Sequence, residues 1–437
     1  MNVEDSRRAA SALERLGYEY TRQPEGADVI ILNTCVVRQS AEDKAVGRLQ
    51  SLKPLKQKKP DLVINLMGCM VGIRGGSPKL KKRFPLVDVF SPPSDFSPLL
   101  DFLTQREGKR LEQQQTLARN ALLDEDLVLP EYEKGRLVSG YVSIVLGCSF
   151  SCTYCVIPSR RGREHSRSPE VILHEADSLA RQGVKEITLL GQIVDRYGKD
   201  KPGYPSLSAL LALLNEVNGL ERLRFLTSHP NYMTPELLES VATLPKVMPH
   251  LEIPIQSGDD QVLMRMRRGY TAGQYRDLIH KIWDLIPGVS IGTDVIVGFP
   301  GETDLEYQNT YHLMEELKLD VAHLARYSPR PGTISATRMA DDVPDEVKWE
   351  RFRQLEDLQK GISEEIHKRH IGQVVEVLFE DKHKGLWRGR TPTNKIVFSA
   401  SENANQADLK GRLAKVRVNW AGPWSMRGNL LDQSHSE

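Results

Sequence analysis

Three of the five cysteines in this 437-residue chain stand together, in the segment Gly147-Cys148-Ser-Phe-Ser-Cys152-Thr-Tyr-Cys155. Three thiolates on one short loop can each bind a different iron of a four-iron cluster, which leaves the fourth iron open to chelate a small molecule. A zinc loop is the competing chemistry. It needs a fourth ligand, commonly a second cysteine pair downstream, and no cysteine follows Cys155. The other two are far apart in sequence but placed alike. Cys35 closes the run Ile-Leu-Asn-Thr-Cys and Cys69 closes Asn-Leu-Met-Gly-Cys. Each run reads as a buried strand, and open α/β sheets bind ligands at the carboxyl ends of their strands, so both thiols can face one crevice. Taken singly, each reads more simply as a small buried apolar residue. Together, beside the triple-cysteine loop, they point to a second cluster.

The elements that must hold these loops follow from hydrophobic periodicity. With 40% apolar and 27% charged residues the chain has material for more than one core, and its length suggests about three domains. Five cysteines are too few for a disulfide scaffold of this size. No apolar run approaches the ~18 residues of a membrane span, and MNVEDSRRAA is no signal peptide, so the expected location is cytoplasmic, with no membrane contact. The net charge of +1 means that nucleic acid must be met by local patches.

Residues 1–106 alternate apolar runs (28–33, 62–66, 86–90) with amphipathic helices, the pattern of a parallel α/β domain. Lys53, Lys56, Lys58 and Lys59 surround two prolines and read as an exposed loop. Residues 107–135 are charged, Gln-rich and without periodicity, the signature of a linker. Between 136 and 370, strand runs at 141–146, 186–190, 223–227, 250–255, 290–297 and 321–327 alternate with helical segments, giving a partial (β/α)6 barrel whose active site belongs at the strands' C-terminal ends. A long polar helix from Pro344 to about His370 closes it. Residues 371–432 alternate in the β manner over 371–380, 386–390, 395–399 and 413–420, a small all-β barrel. There ten Lys/Arg face six Asp/Glu, interleaved with Trp387, Trp420 and Trp424, a combination suited to RNA.

The C-x3-C-x2-C spacing with Tyr154 before the last cysteine resembles the radical SAM enzymes. Over nearly the full length, the order of domains is similar to the methylthiotransferase family with its C-terminal TRAM domain. The matching segments are Asn33-Thr-Cys-Val-Val-Arg38, Cys155-Val-Ile-Pro-Ser-Arg-Arg-Gly-Arg-Glu-His-Ser-Arg167, Pro254-Ile-Gln-Ser-Gly258, Met266-Arg-Arg-Gly-Tyr270, Thr293–Glu302 and Tyr327-Ser-Pro-Arg-Pro-Gly-Thr333. Gly191-Gln-Ile-Val-Asp-Arg-Tyr-Gly198 is most similar to the branch that modifies tRNA, whose usual Asn is Ile193 here.

The resemblance implies two [4Fe-4S] clusters, one on Cys148, Cys152 and Cys155 and an auxiliary one on Cys35 and Cys69, with S-adenosylmethionine at the first. It implies 2-methylthiolation of N6-isopentenyl-adenosine at position 37 of tRNA, bound by its anticodon stem-loop, with an electron donor and a sulfur source as further partners. One S-adenosylmethionine methylates a sulfur on the auxiliary cluster and a second yields the radical that activates C2 of the base. Tyr154, Gly191, Gln192, Ser228, His229, Gln256, Asp294 and Gly298 match the family's cofactor-binding segments. The family's remaining N-domain cysteine lies in a Gly-Cys-Gln segment ahead of a Met-Asn like Met1-Asn2, so a start upstream of Met1 is expected, the first strand being absent and two thiolates remaining for the auxiliary cluster.

Arginine forks suit phosphates. Arg160, Arg161, Arg163 and Arg167 crowd the segment after the cluster loop, Arg388 and Arg390 lie in the β module, and these six are the expected RNA contacts. Arg265, Arg267 and Arg268 form a second group at the barrel mouth with the same expectation. The histidines show no metal-ligand spacing and, apart from His229, read as structural or surface residues. Rival readings are a methylthiotransferase acting on threonylcarbamoyl-adenosine or on a ribosomal protein, and an RNA-binding iron–sulfur protein without sulfur insertion.

Overall fold

The computed structural model describes residues 1–107, 129–400 and 408–431. Most of the expected linker lies outside them. Its described end is packed: Leu129 is buried in the barrel core, Tyr132 stacks on Tyr20 with ring centroids 4.0 Å apart, and Glu133 pairs with Arg7 at 2.6 Å.

The first domain carries three parallel strands in sequence order, β1 (Val29–Thr34), β2 (Val63–Gly68) and β3 (Val89–Ser91). The central strand β2 is buried at every residue, which is why it reads as an unbroken apolar run. The lysine-rich segment is a short helix, Lys53–Lys58, rather than a loop: Lys56 pairs with Asp88 and Lys59 with Asp28, both across to strand ends.

Six barrel strands and one small antiparallel pair follow: β4 (Ser139–Ser143), then the pair β5 (Val145–Leu146) and β6 (His165–Ser166), then β7 (Glu186–Leu190), β8 (Arg222–Phe225), β9 (His250–Glu252), β10 (Ser290–Val297) and β11 (Val321–Arg326). The single first strand expected at 141–146 divides. β4 joins the parallel sheet, and β5 peels away to pair with β6. The strands form two parallel sheets, β4-β7-β8 and β9-β10-β11, linked by a bridge between Leu223 and Val247. Leu251, Ile253, Ile291, Val295 and Val297 belong to the core between strands and helices. The alternating residues Glu252 and Asp294 therefore face the barrel interior. There Glu252 lies 3.2 Å from His250 Nε2 and 3.8 Å from His323 Nε2.

The C-terminal module closes into a barrel of five strands in the order β12 (Val374–His383), β13 (Leu386–Arg390), β14 (Ile396–Ala400), β16 (Met426–Leu430), β15 (Leu413–Ala421). β16 is the strand the sequence pattern does not show. The turn after β13 plugs the floor of the large barrel, at the starting ends of its strands. Arg222 donates to Arg390 O at 2.7 Å, and Arg224 donates to Thr391 O at 2.9 Å and Pro392 O at 2.8 Å while pairing with buried Glu186. Lys395 pairs with Asp320 at 2.6 Å. The helix Asp345–Lys368 spans both ends: Lys348 fills the space over Gly298 and His367 Nδ1 sits 2.7 Å from Gly422 O.

Candidate cluster and cofactor site

The loop 147–155 leaves the end of β5 through Gly147, whose φ is +69°. A Cβ there would stand 2.2 Å from Arg163 O, so only glycine fits. Cys148 N–H donates to Gly162 O at 3.0 Å, and Thr153 is held from three sides, through Met266 O, Arg265 O and Ser335 N–H. The loop is therefore fixed by its neighbours. Burial pushes the Cys155 thiol up to about 12 and raises that of Cys148. The neighbouring sulfurs add to both shifts, so Cys148 and Cys155 become thiolates only against strong positive charge, as iron provides. Among the described residues no three His, Cys, Asp or Glu side chains converge as ligands of a single metal ion.

One cation is already built in. Arg268 is 7% exposed and donates through Nη1 to Cys152 Sγ at 3.3 Å and through Nε to Tyr270 Oη at 3.0 Å. Among the described residues no carboxylate forms an ion pair with it. A buried guanidinium beside the open-iron loop without an acidic partner suits the carboxylate of an amino-acid cofactor. Sequence alone did not separate it from its neighbours. Arg265 is spent on Glu306, at 2.9 Å, and Arg267 is exposed.

The expected cofactor residues divide. Ser228 and His229, at the end of β8, are 3% and 1% exposed, yet Ser228 Oγ and His229 Nε2 have no partner in the protein. Buried polar atoms are rarely left so, and a bound ligand is the natural partner. Burial, with Arg268 and Arg196, drives the His229 pKa down to about 3, so its ring is neutral at pH 7 and can accept or donate. Its ring also packs against Phe150, Tyr232 and Tyr270. Tyr154 lies edge-on to Phe299 in an apolar pocket. Gln256 holds φ at +75°, which for a non-glycine residue is strained, between Asp294 O and Ile296 N–H. Burial raises the Asp294 pKa. Gln192 approaches Met1 Sδ at 3.1 Å. Gly191 and Gly298 are explained by packing. A Cβ on Gly191 would press on Val145 Cβ at 3.1 Å, and the Gly298 site is filled by Lys348 Cγ at 2.3 Å while its N–H is taken by Glu302. Ile193 packs with Cys148 and Ile157.

Cys35 and Cys69 follow the paired residues Thr34 and Gly68, so they leave adjacent strand ends side by side. Cys69 N–H donates to Thr34 O at 3.0 Å, and the close approach needs Gly68, where a Cβ would lie 2.6 Å from Thr34 O. Burial raises the Cys69 thiol, against the opposing field of Arg161. Cys69, Val36 and Val156 share one apolar cluster. Val156 adjoins Cys155 and Val36 adjoins Cys35, so both cysteine groups flank one packed apolar cluster between the domains.

Several arginines expected on RNA are turned inward. Arg161 donates to Asn2 Oδ1 at 2.8 Å and lies 3.7 Å from buried Asp5. Arg167 binds Ser143 O and buried Glu175, both at 2.7 Å. Arg160 lies against Gly72. Arg388 is paired with Asp381 and Arg390 with Glu380, at the floor end. Only Arg163 of the six is exposed.

A thiolate-bearing loop at the mouth of a parallel partial barrel, with a sequence match to the Radical SAM superfamily over residues 142–314, defines the class of protein. Residues 1–91 match the Uncharacterized protein family UPF0004, and residues 368–431 the TRAM domain. The chain is 46% identical over 435 residues to the tRNA-2-methylthio-N(6)-dimethylallyladenosine synthase of Roseiflexus sp. (strain RS-1), covering 98% of this chain and 87% of that protein. It is 44% identical to that of Herpetosiphon aurantiacus, covering 99% and 96%, and 42% identical to that of Dehalococcoides mccartyi (strain CBDB1), again covering 99% and 96%. The chain belongs to the family of tRNA-2-methylthio-N(6)-dimethylallyladenosine synthases. Among the described residues no helix is long and apolar enough to cross a membrane.

Proposed function

We propose that the protein joins a methylthio group to C2 of N6-isopentenyl-adenosine at position 37 of tRNA, in the cytoplasm, drawing on an electron donor and a sulfur source. The observation that carries this reading is the apolar cluster shared by Cys69, Val36 and Val156, because sulfur insertion needs a sulfur-holding centre and a radical-generating centre facing one pocket. Cys148, Cys152 and Cys155 hold one [4Fe-4S] cluster, and Cys35 and Cys69 contribute to an auxiliary one. Bound at the first, S-adenosylmethionine supplies the radical equivalent for C–H activation.

The residues of this chain position that chemistry. Arg268 takes the cofactor's carboxylate, Ser228 Oγ and His229 Nε2 gain the partners they lack, and Tyr154 packs beside the adenine. Gln256 and Asp294, at the interior ends of the second sheet, face the cofactor's ribose side. Val36 and Val156 keep water from the gap between the two centres. The decisive experiment is tandem mass spectrometry of tRNA from cells with and without the gene. Loss of 2-methylthio-N6-isopentenyl-adenosine is expected. No change in any methylthio-adenosine overturns the reading, and loss of a threonylcarbamoyl derivative instead moves the substrate.

A further inference from the structure

We infer that the RNA backbone is gripped by four exposed arginines, Arg38, Arg74, Arg163 and Arg267, one on each loop that carries or braces the cysteines. This rests on the tRNA reading above and says where that partner is held.

Each arginine is fixed in place by the cysteine loops. Arg38 follows Cys35 by three residues, and the segment just after it is pinned where buried Arg330 donates to Gln39 Oε1 and pairs with Glu42. Arg74 follows Cys69 by five residues. Its neighbour Ile73 lies against Gly162, 3.8 Å from where a Cβ would sit, and so beside Arg163. Arg163 adjoins the carbonyl of Gly162 that receives the Cys148 N–H. Arg267 takes the left-handed conformation, φ +58°, between Met266, whose carbonyl holds Thr153, and inward-turned Arg268. All four are exposed, and no ion pair engages any of them among the described residues. They contrast with Arg161, Arg167 and Arg388, whose forks are already filled.

Free guanidinium forks bind phosphate oxygens, and the resulting affinity falls with salt as counterions are released. Four such forks around the apolar cluster flanked by both cysteine groups hold a sugar–phosphate chain while one base enters between them. Val37 and Ile73, 47% and 49% exposed beside Arg38 and Arg74, offer apolar contact to a base face or its alkyl substituent.

The test is fluorescence anisotropy with the full-length, cluster-reconstituted protein and a labelled tRNA anticodon stem-loop at several salt concentrations. Single Arg→Gln variants at 38, 74, 163 and 267 are each expected to reduce the magnitude of the log–log salt slope by about 0.7–0.9, and the quadruple variant by about 3. The charge-matched control Arg276→Gln removes an outer-barrel arginine paired with Glu316 and should leave the slope unchanged. Circular dichroism verifies that each variant is folded. A quadruple variant with the wild-type slope, or a control that falls equally, overturns the inference. Wild-type protein that shows no salt-dependent binding to the stem-loop instead overturns the tRNA reading itself.

Discussion

The guanidinium of Arg268 reaches Cys152 Sγ at 3.3 Å from a buried position where, among the described residues, no carboxylate forms an ion pair with it. Replacing it with Gln removes a charge-assisted hydrogen bond worth about 1.5–3 kcal/mol, so S-adenosylmethionine binding to the reconstituted protein should weaken ~10- to 150-fold. Equilibrium dialysis with labelled cofactor measures this, and Arg268→Lys should recover part of the loss. Unchanged affinity in Arg268→Gln would assign the residue to loop packing.

Cys152→Ala should abolish 5′-deoxyadenosine production under reducing anaerobic conditions. Iron should fall from about eight to about four per chain. Persistence of 5′-deoxyadenosine would refute the assignment of the loop.

Cys35→Ser and Cys69→Ser make the opposite split. Each should keep 5′-deoxyadenosine formation while methylthiolated tRNA disappears from the product, read by mass spectrometry of the digested RNA. Variants that still deliver the methylthio group would remove the first domain's thiols from the chemistry.

The pair formed by half-buried Glu252 and exposed His323, 3.8 Å apart, sets a pH dependence. Burial works to raise Glu252, but the nearby His250 and His323 outweigh it and hold Glu252 down at about 2, while Glu252 raises His323 against its own partial burial, with Asp294 adding to it and Arg38 opposing. A raised histidine contributes stability that is full below its unfolded value near 6.5 and is lost as pH rises through its higher folded value. The difference in melting temperature between wild type and Glu252→Gln should therefore be largest near pH 5–6 and shrink towards pH 9. A constant difference across that range would contradict the coupling.

Arg224 is 3% exposed and pairs with Glu186, itself 3% exposed, beneath the turn of the β module. Arg224→Ala strands a buried carboxylate and should cost about 3–5 kcal/mol. Limited proteolysis should then release the C-terminal module first. Equal protease resistance in the variant and the wild type would mean that the floor contact is incidental.

Parallel strands were legible because burial on both faces writes itself as an apolar run. Segments 186–190 and 290–297 have the bounds of β7 and β10. The fifth strand of the small barrel escaped because Met-Arg-Gly-Asn-Leu alternates polar residues with a glycine that lies against Arg417 O, a close approach visible only after folding. The cysteines were legible from spacing and type. The arginines were not, since Arg161 and Arg163 look alike in sequence and only packing turns one onto Asn2 and leaves the other in solvent. The same holds for Arg265, Arg267 and Arg268, and for Gly298, where Lys348 decides.

The plug formed by residues 391–395 has a bearing on traffic. With its underside stoppered by Arg222, Arg224 and Lys395, the large barrel turns its ligands away from the floor and towards the cysteine-lined end. Nucleobase, fresh cofactor and spent fragments must then queue at that doorway. Departure of the first cofactor's remains before the base is seated, or after, becomes a question of order at a shared threshold.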